Sequence, residues 1–265
     1  MQWVADVGAV TERSVAYVGG LAVIFGNALR LLVVSPLKRT RMLNRAIHEA
    51  TAAGVGAVPI VSLIAFFVGV IIALQGAYEL QRIGAMQLVA SLVAISITRE
   101  LGPLITAIVV IGRSGSAFAA EIGTMRVTEE LDALKTMALD PVAFLVVPKF
   151  LAMAVMLPCL TIWADLMGVL GGGLFGVIGG GFTAGGYMIA TRDALLLRDI
   201  TSGVIKSVVF GLVITAVGCQ EGFATGAGAE EVGRSTTSAV VISILLVILI
   251  DLVFTALFYL ARGGG

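Results

Sequence analysis

Charged and metal-binding side chains are scarce in this sequence. Asp, Glu, Lys and Arg make up 13% of the 265 residues, against roughly 25% in an ordinary soluble domain. The single histidine, His48, and the two isolated cysteines, Cys159 and Cys219, provide neither the ligand spacing of a zinc site nor a disulfide framework. The composition therefore predicts no metal site and argues against a small disulfide-stabilised fold.

Nucleotide-binding and hydrolytic motifs are missing as well. No lysine follows a glycine, so the chain lacks the GxxxxGK[ST] phosphate loop that would hold ATP. The GxSxG sequence of many hydrolases is also absent. A formal net charge of zero, without a basic patch that carries interleaved aromatic residues, does not indicate nucleic-acid binding. We expect a non-catalytic chain that binds no cofactor of its own and no nucleic acid.

Hydrophobic residues, in contrast, make up 58% of the chain, and the mean hydropathy is +1.06. Such a composition is typical of a polytopic membrane protein, because about 20 consecutive apolar residues cross the hydrocarbon core as a helix. We predict an all-α integral membrane protein with about five transmembrane helices, in one domain that covers residues 1–265. An N-terminal interfacial region, residues 1–49, would precede a transmembrane bundle over residues 50–261.

The first apolar run, residues 14–29, is short for a span. We predict an interfacial or tilted helix there, with a true span as the alternative. A basic cluster follows, and by the positive-inside rule it lies in the cytoplasm. Five spans with the N-terminus inside and the C-terminus outside place eleven basic residues in the cytoplasm and five outside. The inner set is Arg13, Arg30, Lys38, Arg39, Arg41, Arg45, Arg113, Arg126, Lys135, Lys149 and Arg234, and the outer set is Arg82, Arg192, Arg198, Lys206 and Arg262.

Two adjacent charges lie near the middle of the second predicted span. Arg99 and Glu100 are the only charged residues within residues 83–112. They cannot simply neutralise each other, because neighbouring residues on a helix point about 100° apart. A charge at mid-membrane depth usually faces a bundle interior or a watery cavity and indicates a functional site. Two further intramembrane carboxylates, Asp165 and Asp251, are interpreted as structural partners of polar groups on neighbouring helices.

Charged and apolar residues alternate at helical spacing over residues 121–134. We predict a short amphipathic helix just outside the membrane on the cytoplasmic side, where another protein could push on the chain. Its residues of interest are Glu121, Met125, Arg126, Glu129, Glu130, Leu131, Asp132 and Leu134.

Glycine recurs every four residues in the third predicted span and just after it. This spacing keeps the glycines on one helix face and predicts close packing of another helix more strongly than a ligand role. Farther along the chain we predict an outer loop at residues 179–186, a surface helix that reaches Asp199, a span at 202–217 and a glycine-rich cytoplasmic loop at 219–237. The glycine ladder consists of Gly168, Gly172, Gly176 and Gly180.

Four motifs occur in order along the chain: TRELGP at 98–103, GRSGSAFAAEIGTM at 112–125, RVTEELDALKTMALDP at 126–141 and GAEEVGRSTT at 228–237. They resemble the MlaE or YrbE permease family, the membrane subunits of ABC-type lipid transporters that work with MCE-domain proteins. The resemblance covers most of residues 50–260, and the N-terminal segment is similar only in kind to the family's interfacial elbow helix. One departure is Glu231 and Ser235, where the family often has glycine and alanine. We expect the loop to keep its role.

The resemblance implies partners and a location. Two permease copies would form a homodimer in the inner membrane, and ATP and Mg²⁺ would bind a separate cytoplasmic ABC ATPase. A small STAS-domain protein and a hexameric periplasmic ring of MCE-domain subunits would complete the complex. The implied activity is movement of phospholipids between the inner and outer membranes, which maintains outer-membrane lipid asymmetry. Residues 121–137 would be the coupling helix that docks on the ATPase.

On this basis we predict that Glu100 lines a lipid cavity, while Arg99 makes either a headgroup contact or a structural ion pair. Gln75 and Tyr78 are weaker candidates for the cavity wall. The alternative is that both charges only lock helices together. An ion-coupled secondary transporter that uses intramembrane carboxylates is the rival function, and a non-transporting scaffold is a third. The lack of a recognisable inverted repeat and the predicted coupling helix favour the ABC permease.

Overall fold

The computed structural model describes residues 17, 19–28, 30 and 39–262. Within these residues the chain is helical and contains no strand. Five helical runs are long and apolar enough to cross a membrane, which confirms the predicted fold class and number of spans. They are Leu43–Arg82, Met86–Val127, Val142–Ile178, Leu197–Ala224 and Ala229–Leu260.

The helices are numbered here in chain order. They are α1 (Gly19–Ala28), α2 (Arg39–Gly54), α3 (Val58–Arg82), α4 (Val89–Ser96), α5 (Gly102–Val110), α6 (Ser116–Val127), α7 (Glu130–Thr136), α8 (Val147–Ile178), α9 (Ala184–Ala194), α10 (Leu197–Ala224) and α11 (Ala229–Arg262). Helices α3, α8 and α11 run from the end of the bundle that carries α7 to the end that carries α9, and α10 runs back. These ends are called the α7 side and the α9 side.

The second span is one continuous helical run that contains two π-helical segments. Met86–Val127 has 42 residues, and π segments at Ile97–Leu101 and Ile111–Gly115 interrupt its α-helical hydrogen bonding. The first π segment ends just before Pro103, the second residue of α5, which has no backbone N–H to give to the carbonyl four residues earlier. π segments are rare and often mark functional sites. The location of Arg99 and Glu100 within one therefore agrees with the prediction that these charges belong to a functional site.

Close contact between α3 and α8 forms the centre of the bundle. A side chain on Gly69 would meet the backbone carbonyl of Gly168, and one on Gly171 would meet the carbonyl of Phe66. A buried apolar cluster that includes Leu157 extends this contact to α5, α10 and α11. The outer faces of α3 and α11 instead expose large apolar side chains, as expected where a bundle meets lipid or a second subunit.

The amphipathic helix predicted over residues 121–134 is two helices. The chain follows α6 without a break from the second span to Val127, turns at Thr128 and Glu129, and resumes as α7. Glu129 has φ 63° and is left-handed, a conformation that a helix of L-residues cannot propagate. The Thr128 hydroxyl donates a hydrogen bond to the carbonyl of Thr124 at 3.0 Å and closes the last turn of α6.

Helix α8 ends at Ile178, where the predicted outer loop begins, so Gly180 lies beyond the helix that carries the other ladder glycines. Two other predicted boundaries in the second half of the chain were wrong. Helix α9 ends at Ala194, so Asp199 belongs to the first turn of α10. Helix α10 continues through the predicted loop to Ala224 and leaves only residues 225–228 before α11. The extension persists because its glycines pack closely: a side chain on Gly222 would meet Ile122 of α6.

The described part of the N-terminal segment lies at the α7 side and includes the ten consecutive residues Gly19–Ala28 of α1. Phe25 packs edge-on against Phe150 of α8 with ring centroids 5.9 Å apart, and the Gln220 side-chain amide donates to the Tyr17 carbonyl at 2.9 Å. Residues 14–16, 18 and 29 of the predicted helix lie outside the described residues.

Candidate functional site

Lys206 of α10 lies inside the bundle between two carboxylates, and its side chain is 1% exposed. The ammonium donates a hydrogen bond to Glu100, lies 2.9 Å from Oδ1 of Asp251 in α11, and donates to Oγ1 of Thr255 at 2.9 Å. The Thr255 hydroxyl in turn lies 3.1 Å from the Glu100 carboxylate. These four residues, here called the Lys206 cluster, join the second, fourth and fifth spans.

Local sequence explains how the Lys206 cluster assembles. Asp251 and Thr255 are four residues apart and therefore share one face of α11. Glu100 reaches α10 from the π segment Ile97–Leu101. The cluster has two carboxylates and one ammonium, a formal charge of −1, and the Glu100 side chain is 34% exposed. One negative group, Glu100, is therefore partly accessible at the edge of a network whose lysine is buried.

Arg99 points to a different partner. Its Nε lies 3.8 Å from Oδ1 of Asp199, a buried residue that also accepts a hydrogen bond from the backbone N–H of Leu196 at 3.3 Å. The contact ties the π segment to the start of α10. Of the two roles predicted for Arg99, the structure shows the ion pair, and the headgroup contact stays a prediction.

The other polar candidates lie apart from this cluster. Oδ1 of Asp165 is buried against Gly102, and no described residue forms a hydrogen bond with it. The predicted partnership with polar groups thus appears at Asp251 and is missing at Asp165. Gln75 and Tyr78 are exposed on the outer face of α3, where they line a surface pocket of about 530 Å³. None of the described contacts of the Lys206 cluster reaches α3.

The glycine ladder faces residues of the same chain. A side chain on Gly168 would meet Ile97, and one on Gly172 would meet Val93 and the hydroxyl of Tyr187. Tyr187 of α9 is itself buried, because its ring fills the space opposite Gly176. The burial raises the pKa of the Tyr187 phenol. Within α8 the ladder therefore packs against α3, α4, the following π segment and one aromatic side chain of α9.

The predicted coupling residues divide into a buried and an exposed set. Leu131 and Leu134, which we expected to contact another protein, are buried against this chain's own Ile122, Leu145 and neighbouring residues. The apolar face of α7 is therefore already covered. Met125 is partly buried in the same cluster. The exposed residues of this segment include Arg126, Glu129, Glu130 and Asp132.

Charge interactions at the α7 side involve Glu121 and Asp132 in different ways. Glu121 accepts a hydrogen bond from Lys149 of α8 at 2.7 Å, so it is committed to a contact within the chain. Asp132 accepts one from Lys135 at 2.8 Å on the surface of α7, and this contact lowers the pKa of Asp132.

Comparison with known proteins identifies the family. The family described as Permease MlaE matches residues 46–257. The chain belongs to the MlaE permease family. A probable ABC transporter permease protein of Rickettsia conorii is 38% identical over 254 residues, which cover 96% of both chains. The MlaE permease protein of an intermembrane phospholipid transport system in Haemophilus influenzae is 35% identical over 207 residues, 78% of this chain and 79% of that one.

A plant protein is also similar to this chain. The chloroplastic protein TRIGALACTOSYLDIACYLGLYCEROL 1 of Arabidopsis thaliana is 39% identical over 197 residues, 74% of this chain and 56% of that one. The present chain is thus a multi-pass membrane permease of the ABC transporter class.

Sequence reasoning missed how the polar residues of this MlaE family chain are grouped. The charge count places Lys206 outside and Lys149 on the cytoplasmic side, and no pattern in the sequence analysis singles out Thr255. A usable signal existed for Thr255, because it follows Asp251 by four residues in an otherwise apolar run. No comparable signal pairs Lys206 with Glu100, since 106 residues separate them.

Proposed function

We propose that this chain is the permease subunit of an ABC transporter that moves phospholipids between the inner and outer membranes and so maintains outer-membrane lipid asymmetry. The observation that carries the proposal is the 35% identity to the intermembrane phospholipid transport permease of Haemophilus influenzae. The partly exposed Glu100 carboxylate at the edge of the Lys206 cluster supplies a polar contact for a headgroup, and the apolar outer faces of α3 and α11 suit acyl chains. Glu100, Arg99, Tyr78 and Gln75 are the proposed lipid contacts.

The proposal assigns partners and orientation. Two copies of the chain form the membrane core, the α7 side faces the cytoplasm, and the C-terminus of α11 faces the periplasm. A separate ABC ATPase, which binds ATP and Mg²⁺, docks at the α7 side beside a STAS-domain protein. A hexameric MCE-domain protein exchanges lipid at the α9 side. The chain itself is not an enzyme and holds no cofactor.

The corrected geometry refines where the ATPase docks. Leu131 and Leu134 face inward, so the proposed contact surface is the polar outer face of α7 with Glu129, Glu130 and Asp132. This surface is acidic and fits a basic rim on the partner's groove. Reversal of charge at Glu129 and Glu130 together should weaken ATPase docking and separate ATP hydrolysis from lipid movement. Unchanged assembly and transport in that variant would remove α7 from the mechanism.

Purification followed by reconstitution tests the function. The chain is expressed with its genomic neighbours, isolated in mild detergent, and analysed for a co-eluting ATPase. The complex is then placed in liposomes with fluorescent phospholipid and an acceptor for lipid. ATP-dependent lipid movement is the expected result. Uptake driven by a proton or sodium gradient in liposomes that contain the chain alone would contradict the proposal and support the ion-coupled alternative.

A further inference from the structure

A fully buried lysine joins three helices at the α7 side of the bundle. Lys149, near the start of α8, has a side-chain exposure of 0%. Its Nζ donates hydrogen bonds to Oε1 of Glu49 in α2 at 2.8 Å and to Oε2 of Glu121 in α6 at 2.7 Å. The ring of Phe118 lies 4.8 Å from the ammonium and shields it from solvent. A single charge therefore links α2, α6 and α8.

Further side-chain contacts hold helix α2 against the bundle. The guanidinium of Arg45 stacks over the ring of Phe144 with 3.6 Å to the ring centroid. Arg113 donates hydrogen bonds to the carbonyls of Ala52 and Ala53 near the end of α2, both at 3.1 Å. The helix is thus held at its middle by Arg45 and Glu49 and near its end by Arg113, and the Glu49 contact reaches α6 through Lys149.

We propose that Lys149 is the positioning residue that transmits movement of the α6–α7 segment to α2 and α8. The inference rests on the proposed function, in which the ATPase docks on α7. Glu121 lies about two helical turns before the Thr128–Glu129 turn, so a displacement of α7 reaches it directly through α6. Separation of Glu121 from the buried ammonium would remove one of its two charge partners. Helix α6 therefore moves together with α8 and, through Glu49, with α2.

The presence of two carboxylate partners makes this role testable. Either Glu121, 47% exposed, or Glu49, 24% exposed, can lose its charge while the other stays paired with the buried ammonium. Replacement of Glu121 by Gln removes the ion pair between α6 and α8 and leaves the Lys149–Glu49 pair. Lys149→Met removes both ion pairs, and Lys149→Arg keeps the charge.

Lipid transport per ATP hydrolysed in the reconstituted complex is the first measurement. We expect Lys149→Met and Glu121→Gln to lower this ratio about five-fold or more, with ATPase still bound at the wild-type ratio. Lys149→Arg should retain most of the ratio of lipid transported to ATP hydrolysed, because arginine keeps the positive charge between the two carboxylates. Arg192→Met on α9 is the matched control, because it removes an exposed positive charge at the opposite side. A wild-type ratio in both Lys149→Met and Glu121→Gln would overturn the inference.

A distance measurement tests the same role without transport. Spin labels at Ile47 of α2 and Thr124 of α6, both exposed, are attached in a background in which Cys159 and Cys219 are serine. We expect a narrow distance distribution in the otherwise unaltered complex, a broad one in Lys149→Met and Glu121→Gln, and a narrow one in Lys149→Arg. If Lys149→Met does not fold, Glu121→Gln decides, and an unchanged distribution there overturns the inference. A wild-type complex that moves no lipid would refute the proposed function alone, because the spin-label distances report on Lys149 independently.

Discussion

Lys206 of α10 and Asp251 of α11 form an ion pair of 2.9 Å in which the lysine side chain is almost completely enclosed by protein. Such a pair stabilises a helix contact only while both charges are present, because the loss of one leaves the other buried without a partner. The position of α11, whose outer face is largely exposed, therefore depends on a charge in the neighbouring helix.

Lys206→Met should destabilise the bundle by about 3–5 kcal/mol, since it leaves Asp251 and Glu100 without their shared cation. Thermal unfolding of the detergent-purified protein measures the effect. Combining Lys206→Met with Asp251→Asn should recover part of the loss, because fewer unpaired charges remain. A single variant as stable as the wild type would show that solvent reaches the cluster freely.

Replacing Gly172 and Gly176 with Leu should sharply lower the yield of folded protein. A side chain at Gly172 would lie 2.6 Å from Val93, and one at Gly176 would lie 2.9 Å from the ring of Tyr187, so α4 and α9 must move away from α8. Gly185→Leu is the control, because nothing lies within 4 Å of its added carbon. Size-exclusion chromatography of both variants provides the comparison, and equal yields would mean that the ladder tolerates separation.

Photo-crosslinking can locate lipid. A photoreactive residue at position 100 or 78 should form adducts with labelled phospholipid in cells, because Glu100 is partly exposed and Tyr78 is exposed on α3. The same residue at Val61, which is fully buried in α3, should form none. Glu100→Gln should also weaken the outer-membrane barrier. Adducts at neither position, together with an intact barrier in Glu100→Gln, would leave Glu100 a structural role only.

Adjacent residues at the α6–α7 turn should respond to glycine with opposite signs. Glu129 has φ 63°, and glycine adopts this left-handed conformation without strain, so Glu129→Gly should stabilise the fold by about 1 kcal/mol. Glu130 begins α7, where glycine should cost roughly 0.5–1 kcal/mol in backbone entropy. Unfolding temperatures of the two variants check this, and a shift of the same sign in both would argue against the left-handed turn.

The spans were predictable because uncharged length is a strong and local signal. Residues 50–78 carry no formal charge, and α3 occupies most of them. Helix ends were harder. Glycine-rich polar sequence at 219–237 indicated a loop, yet α10 continues to Ala224, because contacts with α6 compensate for the weak helix propensity of glycine. Tertiary contacts of this kind are invisible in a local pattern.

The candidate site was predictable in its residues and unpredictable in its pairings. An intramembrane charge such as Glu100 is conspicuous in any apolar run. Which partner it meets depends on helix rotation, and the π segment Ile97–Leu101 alters that rotation by an amount the sequence does not reveal. The inward orientation of Leu131 had a similar origin, since the left-handed Glu129 redirects α7 and places its apolar face against the chain itself.

The residues of the Lys206 cluster are synthesised and inserted into the membrane one after another. Glu100 is synthesised first, Lys206 follows 106 residues later, and Asp251 is added in the final helix. When the fourth span enters the bilayer, Glu100 of the second span is already present. Lys206, whose charge is costly to insert alone, can therefore enter together with its counter-ion. A nascent chain interrupted before α11 would already hold this core pair, and the last helix would then join a charge that is partly satisfied.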